Sequence, residues 1–90
     1  MSVSERGGRQ GALEGFSFIH LDDLGVRVVP RRDPIVEEKL EGLVRFLGRV
    51  VEALERAGAR GVRLQVDWDG GMVVVKRGRD GIYGVYAENR

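Results

Sequence analysis

Few side chains in this sequence could carry out chemistry. The only histidine, His20, is followed closely by Asp22 and Asp23, and a histidine beside carboxylates is an arrangement typical of general acid–base catalysis. Asp22 and Asp23 are adjacent in a predicted tight turn, however, and adjacent residues there seldom face one another. His20 lies on the same face of a predicted strand as Phe16 and Phe18. We therefore expect His20 to pack against its neighbours. We predict no catalytic residue and no enzyme activity.

Two glycine-rich segments resemble ligand-binding loops. A calcium loop starting at Asp67 would need an oxygen ligand at its fifth position and a glutamate at its twelfth, where this chain has Gly71 and Gly78. The segment Gly78–Gly81 precedes neither Lys-Ser/Thr nor a helix, which a phosphate loop requires. Both segments are typical of hairpin turns, so we expect no bound metal and no cofactor.

The composition excludes further classes of protein. The chain of 90 residues contains no cysteine, which rules out disulfides, thiolate metal sites and cysteine nucleophiles. Its 15 Lys and Arg residues nearly balance 14 Asp and Glu residues, for a net charge of +1. That balance argues against nucleic acid as a partner. No apolar run approaches the ~20 residues of a membrane span. We expect a cytoplasmic protein that makes no contact with a membrane.

The first half of the chain divides into a leader and a hairpin. Residues 1–15 contain several glycines and no periodic pattern, which predicts a flexible leader before a single domain over residues 16–90. Apolar and polar residues alternate from Phe16 to Leu21, and a second short strand runs from Val26 to Val29. Because Pro30 cannot donate a ladder hydrogen bond, this second strand is expected at a sheet edge.

A long amphipathic helix follows. Asp33 is a favourable N-cap, the apolar repeat covers Pro34–Ala57, and Gly58 is suited to end it. The apolar arc is wider than packing on one surface requires, which indicates that a second surface also covers the helix. Gly42 and Gly48 flank this arc. They either admit a close-packed partner or are tolerated on a solvated face.

Three more strands are predicted after the helix. Residues alternate from Val62 to Trp68, Met72–Lys76 is mostly apolar and therefore central, and Ile82–Ala87 completes the chain, with Gly84 marking a bulge or a close approach. The predicted fold class is α+β: a five-stranded antiparallel sheet in ββ-α-βββ order with one long helix packed on one face. Trp68 ends a strand expected at the other edge, where it either packs in the core or anchors a partner.

This order of elements resembles the Roadblock/dynein light-chain family and its Roadblock/profilin-like fold over residues 16–89, in a shortened form without the usual first and last helices. The resemblance implies a noncatalytic dimeric scaffold that binds or regulates a small Ras-like GTPase. It implies a homodimer, or a heterodimer with a related domain, in which the strand Val62–Trp68 pairs edge to edge with its mate and the long helices pack together. The implied interface residues are Val44, Phe46, Val51, Arg63, Gln65, Asp67 and Trp68.

An alternative function is binding of nucleic acid or protein through a rim of arginines near the turns. The rim consists of Arg27, Arg31, Arg32, Arg77 and Arg79. It predicts binding that weakens steeply with salt. Tyr83 and Tyr86 do not reproduce the aromatic pattern of an RRM domain, so we favour the dimeric interaction module.

Overall fold

The computed structural model describes residues 15–89 as five strands and one helix. The elements are β1 (Phe16–Asp22), β2 (Gly25–Val29), α1 (Pro34–Arg56), β3 (Arg63–Trp68), β4 (Gly71–Gly78) and β5 (Gly81–Glu88). The strands form one antiparallel sheet in the order β2-β1-β5-β4-β3, so β2 and β3 are its edges. The predicted α+β fold is confirmed. The predicted leader lies outside the described residues except for Gly15, whose carbonyl accepts a hydrogen bond from the Glu88 N–H at 2.8 Å.

Short hairpin turns join β1 to β2, β3 to β4, and β4 to β5. In the β1–β2 turn, Asp22 Oδ1 accepts a hydrogen bond from the Leu24 N–H at 2.9 Å, which forms an Asx turn. Gly25 and Gly81 have φ angles of 123° and 139°, a region that favours glycine. In β5, Gly84 stays in register with its neighbours and forms no bulge. A Cβ atom there would lie 2.5 Å from the Val74 carbonyl oxygen, which confirms the close approach.

The helix begins and ends close to the predicted residues. Asp33 Oδ1 accepts a hydrogen bond from the Ile35 N–H at 2.8 Å, and Gly58 has a φ of 103° just after the last turn. In the first turn, Glu37 accepts hydrogen bonds from the Arg31 side chain and the Arg32 N–H, which together lower the pKa of Glu37. No helix within residues 15–89 is long and apolar enough to cross a bilayer.

One face of α1 packs on one face of the sheet. The helix contributes Leu40, Val44, Leu47 and Val51, and the sheet contributes Ile19, Val73, Val75, Ile82 and Tyr86, all buried. Gly48 is also buried, and a Cβ atom on it would lie 2.7 Å from Leu21 Cδ2. Both interpretations of Gly48 were therefore wrong, because this glycine lets the helix approach the sheet of its own chain. Gly42 has open space around it.

An ion pair ties the end of the helix to the sheet. Arg77 donates two hydrogen bonds to Glu55, at 2.9 and 3.0 Å. This contact lowers the pKa of Glu55 and raises that of Arg77. The paired geometry orients the C-terminal turns of α1 across β4.

Candidate partner interface

The two flanks of α1 differ in chemistry. One flank faces β2 and the β1–β2 turn, where Glu37 and Glu41 lie beside Val26–Val29 and Arg45 lies near Gly25. The other flank faces β3, since Leu43 lines a cavity of about 400 Å³ together with Trp68. The β2 side of the helix is therefore charged, and the β3 side is mainly apolar, with Lys39 as its charged residue at this cavity.

We call the apolar side the helix flank and define it by Leu43, Phe46, Val50 and Leu54. These residues follow one another at spacings of three and four, which places them in a row along one side of α1. Phe46 is 53% exposed and Leu54 is 38% exposed, whereas Leu43 and Val50 are partly buried. Large apolar side chains that are aligned and exposed in this way mark interaction surfaces more often than scattered ones do.

Strand β3 continues this surface to the sheet edge. Its residues on the helix side are Leu64, Val66 and Trp68, and Trp68 is 40% exposed although its ring stacks on Tyr86 at a centroid distance of 6.1 Å. Within residues 15–89, β3 pairs only with β4, so its outer backbone groups have no strand partner. An unpaired edge beside an apolar flank is a template for strand addition.

The other sheet edge lacks these properties. Strand β2 has five residues, is followed by Pro30, and carries Arg27, which is bonded to Asp22 at 2.8 Å. Proline discourages edge pairing, and β3, which has six residues and also carries charge at Arg63 and Asp67, contains none. The two edges therefore differ in their capacity to bind another strand.

Two of the seven predicted interface residues lie on this apolar surface, and three more lie on the other face of the same edge strand. Phe46 and Trp68 are exposed on its apolar side, and Arg63, Gln65 and Asp67 are exposed on the opposite face of β3. The prediction for Val44 and Val51 was wrong: both are 0% exposed, because their side of the helix packs against the sheet. The helix residues that keep exposed surface on the β3 side are instead Leu43, Val50 and Leu54, together with Phe46. One signal in the sequence could have located the apolar flank. Charged residues lie on one side of the buried helix residues, at Glu41, Arg45 and Glu52, which leaves the apolar flank on the other side.

His20 is held by its neighbours on the face of the sheet away from the helix. Its ring stacks on Tyr83 at a centroid distance of 4.4 Å, and its Nδ1 accepts a hydrogen bond from Arg27. Asp22 lies 3.8 Å from that nitrogen, and its pKa is lowered by the Leu24 N–H and by Arg27. A cleft of about 790 Å³ is lined by Asp22 and Asp23, but His20 does not line it. These contacts fit the packed histidine that the sequence favours.

The arginine rim does not form one free cationic surface. Arg27, Arg31 and Arg77 are ion-paired with carboxylates at 2.8 to 3.0 Å. The side chain of Arg32 is only 12% exposed and donates to Ser17 Oγ at 2.7 Å. Only Arg79 is both exposed and without an ion pair to another residue of the described part of the chain.

Comparison of the chain with protein-family models, curated proteins and solved structures gives no significant match. The resemblance to the Roadblock/dynein light-chain family therefore stays a prediction from the order of the elements.

Proposed function

We propose that the protein is a noncatalytic interaction module that forms a homodimer through β3. In this dimer, the β3 strands of two copies pair antiparallel at their free edges, and the two helix flanks pack against each other across the two-fold axis. The observation that carries the proposal is the exposure of Phe46, Leu54 and Trp68 beside an unpaired strand. The other edge strand, β2, is followed by Pro30, which cannot donate a ladder hydrogen bond.

The sequence of β3 suits pairing with itself. A two-fold axis at Gln65 places Arg63 opposite Asp67 of the second copy, and Leu64 opposite Val66, each pair occurring twice. Residues directly opposite each other on antiparallel strands point to the same face. Opposite charges therefore meet on the face of the sheet away from α1, and apolar residues meet on the face that α1 covers. Each charged pair contributes roughly 0.2–1 kcal/mol.

The apolar contacts supply most of the affinity. Full burial of a phenylalanine side chain contributes roughly 1.5–3 kcal/mol, and about half of Phe46 is still exposed in the single chain. Covering that half contributes about 1 kcal/mol for each copy. Leu54 and Trp68 add further contacts of the same kind. Two-fold symmetry repeats every contact, and these apolar contacts add to the backbone hydrogen bonds between the paired β3 edges.

A charge-exchange experiment tests both the dimer and its register. Light scattering coupled to size exclusion would measure the mass of the wild type, Arg63→Asp, Asp67→Arg and the double variant over a range of concentrations. The wild type should have about twice the 10.0 kDa chain mass. In each single variant, residues of the same charge lie opposite each other at two positions of the dimer. Its dimer should therefore be about tenfold weaker. The double variant should recover the wild-type affinity, and a mixture of the two single variants should form a heterodimer.

Phe46→Ser provides the apolar test, with Leu24→Ser as its matched control. Both side chains are exposed, Leu24 by 86%, but Leu24 lies in the β1–β2 turn, away from β3. Only Phe46→Ser should lower the average mass. A wild type that stays monomeric at high micromolar concentration contradicts the homodimer. If the double variant dimerises no more tightly than the single variants, the proposed register is wrong, but the dimer itself is not contradicted.

Binding of a small Ras-like GTPase to this dimer rests on the family resemblance alone. The alternative, nucleic-acid binding through the arginine rim, gains little support because four of its five arginines are ion-paired. Titration of labelled single-stranded RNA at two salt concentrations separates the two functions, since binding through the rim would weaken steeply as salt rises.

A further inference from the structure

A second surface lies on the side of the sheet away from α1. Seven apolar residues from β1, β2, β4 and β5 point to this side, and we call their surface the open face: Phe16, Phe18, Val29, Met72, Val74, Val85 and Ala87. Phe18 is 67% exposed and Val29 is 63% exposed. The only helix within residues 15–89 covers the opposite side. The open face is therefore a second apolar surface, separate from the β3 edge.

Cross-strand register arranges this face in rows. One row runs Val29–Phe18–Val85–Val74 across four strands, is apolar over that length, and ends at Gln65 on β3. The neighbouring row runs Arg27–His20–Tyr83–Lys76–Arg63 and carries the cations. Between the rows lies a groove of about 300 Å³, lined by Phe18, Val74, Tyr83 and Val85, with Lys76 and Arg63 along one side. The groove thus offers an apolar floor next to positive charge.

Lys76 supplies a positive charge that no residue in the described part of the chain neutralises. It is exposed and makes no ion pair with any residue between 15 and 89. Arg63 faces Asp67 of the second copy in the dimer proposed above, but its guanidinium has donors to spare. Edge pairing of β3 extends the sheet and leaves the open face of each copy uncovered. A ligand of this face would therefore bind more tightly if it placed an acidic group over Lys76.

We propose that the open face binds an amphipathic helix of a partner protein, with its apolar stripe along the groove and acidic residues over Lys76. The backbone groups of the central strands are already paired, so the face cannot accept an added strand, and helices are the usual cover for such a sheet face. The apolar row spans three strand spacings, about 14 Å, which a helix lying along it covers with about nine residues.

Single-stranded nucleic acid fits this face less well. Base stacking needs free aromatic rings, and one side of the Tyr83 ring is already covered by His20. Arg27 is ion-paired with Asp22, which leaves few cations to follow a phosphate backbone. The valines that floor the groove favour an apolar side chain over a base.

Synthetic peptides of about five helical turns test the proposal. One peptide carries leucines on one stripe with flanking glutamates, a second has lysines in place of the glutamates, and a third is a scrambled form of the first. Fluorescence anisotropy would measure their binding to the full chain. The glutamate peptide should bind best. Phe18→Ser should weaken it by about tenfold, and Lys76→Glu should weaken it by about fivefold while strengthening the lysine peptide.

Phe46→Ser is the matched control, because Phe46 lies on the helix flank and not on the open face. It should leave peptide binding unchanged, whether or not it alters the dimer. The proposal is overturned if no peptide binds at high micromolar concentration, or if the glutamate and lysine peptides bind equally. It is also overturned if labelled single-stranded RNA binds in competition with the peptide, or if Phe18→Ser lowers the solution mass. The last result would identify a second copy of the chain as the occupant.

Discussion

The two glycines within α1 are expected to respond in opposite ways to the same substitution. Gly42 has no atom within 4 Å of the position that a Cβ would occupy. At Gly48, a Cβ would lie 2.7 Å from Leu21 Cδ2 and 3.3 Å from Ile82 Cδ1. Gly42→Ala and Gly48→Ala therefore add the same methyl group to the same helix, once into open space and once against the sheet.

The expected magnitudes follow from two terms. Alanine in place of glycine favours a helix interior by about 1 kcal/mol, so Gly42→Ala should stabilise the fold by about that amount and raise Tm by roughly 4–8 °C. Gly48→Ala has the same gain but overpacks the core, which costs roughly 1–3 kcal/mol. The net effect at Gly48 should be a loss of about 0–2 kcal/mol. The two variants should thus differ by about 1–3 kcal/mol.

Urea unfolding followed by circular dichroism, at one low protein concentration, measures both free energies. Working at low concentration keeps dimer formation from adding to the stability of the fold. If Gly48→Ala were as stabilising as Gly42→Ala, the helix would not lie close against Leu21 and Ile82. If Gly42→Ala were destabilising only at high concentration, Gly42 would lie in a close contact between copies.

Three further predictions concern the cap, the core and the helix–sheet ion pair. Asp33→Ala removes the N-cap acceptor for Ile35 and should lower the free energy of unfolding by about 1 kcal/mol; the same urea assay would measure this, and an unchanged stability would contradict the cap. Leu40→Ala removes a side chain that is 2% exposed and should cost roughly 2–5 kcal/mol, whereas Leu24→Ala, at 86% exposure, should cost almost nothing. Because Arg77 lowers the pKa of Glu55 in the folded chain below its ordinary value of 4.5, the stability from this pair should be present above pH 4.5 and lost as the pH falls through the folded pKa. Unfolding curves from pH 7 to pH 3 should therefore show a smaller loss for Glu55→Gln than for the wild type, and parallel losses would contradict this account.

Much of the fold follows from local pattern in the sequence. The alternation in Val62–Trp68, the cap at Asp33 and the glycine at Gly58 each act within a few residues, so they could be interpreted without knowledge of tertiary contacts. The edge position of β2 followed from Pro30, and the central position of β4 followed from its apolar run. Both are confirmed by the strand order.

The rest depends on contacts between distant residues. The wide apolar arc of α1 does not itself say which part faces the sheet, so Val44 and Val51 were assigned to the interface instead of the core. Gly48 could not be interpreted without the positions of Leu21 and Ile82, which come from other elements. The open face arises because cross-strand register aligns side chains of four strands, and the pattern within any one strand predicts only the part that this strand contributes. The pair between Arg77 and Glu55 likewise joins residues 22 positions apart, whereas Arg27 and Arg31 have partners within six positions.

The most direct test of the dimer is hydrogen exchange of the backbone amides in β3, measured at a low and a high protein concentration with β2 as the internal reference. Edge pairing gives new hydrogen-bond partners to outward-facing amides of β3 and none to those of β2. The proposed dimer predicts that amides of β3 exchange at least about tenfold more slowly at high concentration, while β2 is unchanged. Equal exchange of β3 at both concentrations, in a sample shown by scattering to stay monomeric, would contradict the account. Protection of β2 in place of β3 would also contradict the account, because the dimer would then form through the β2 edge.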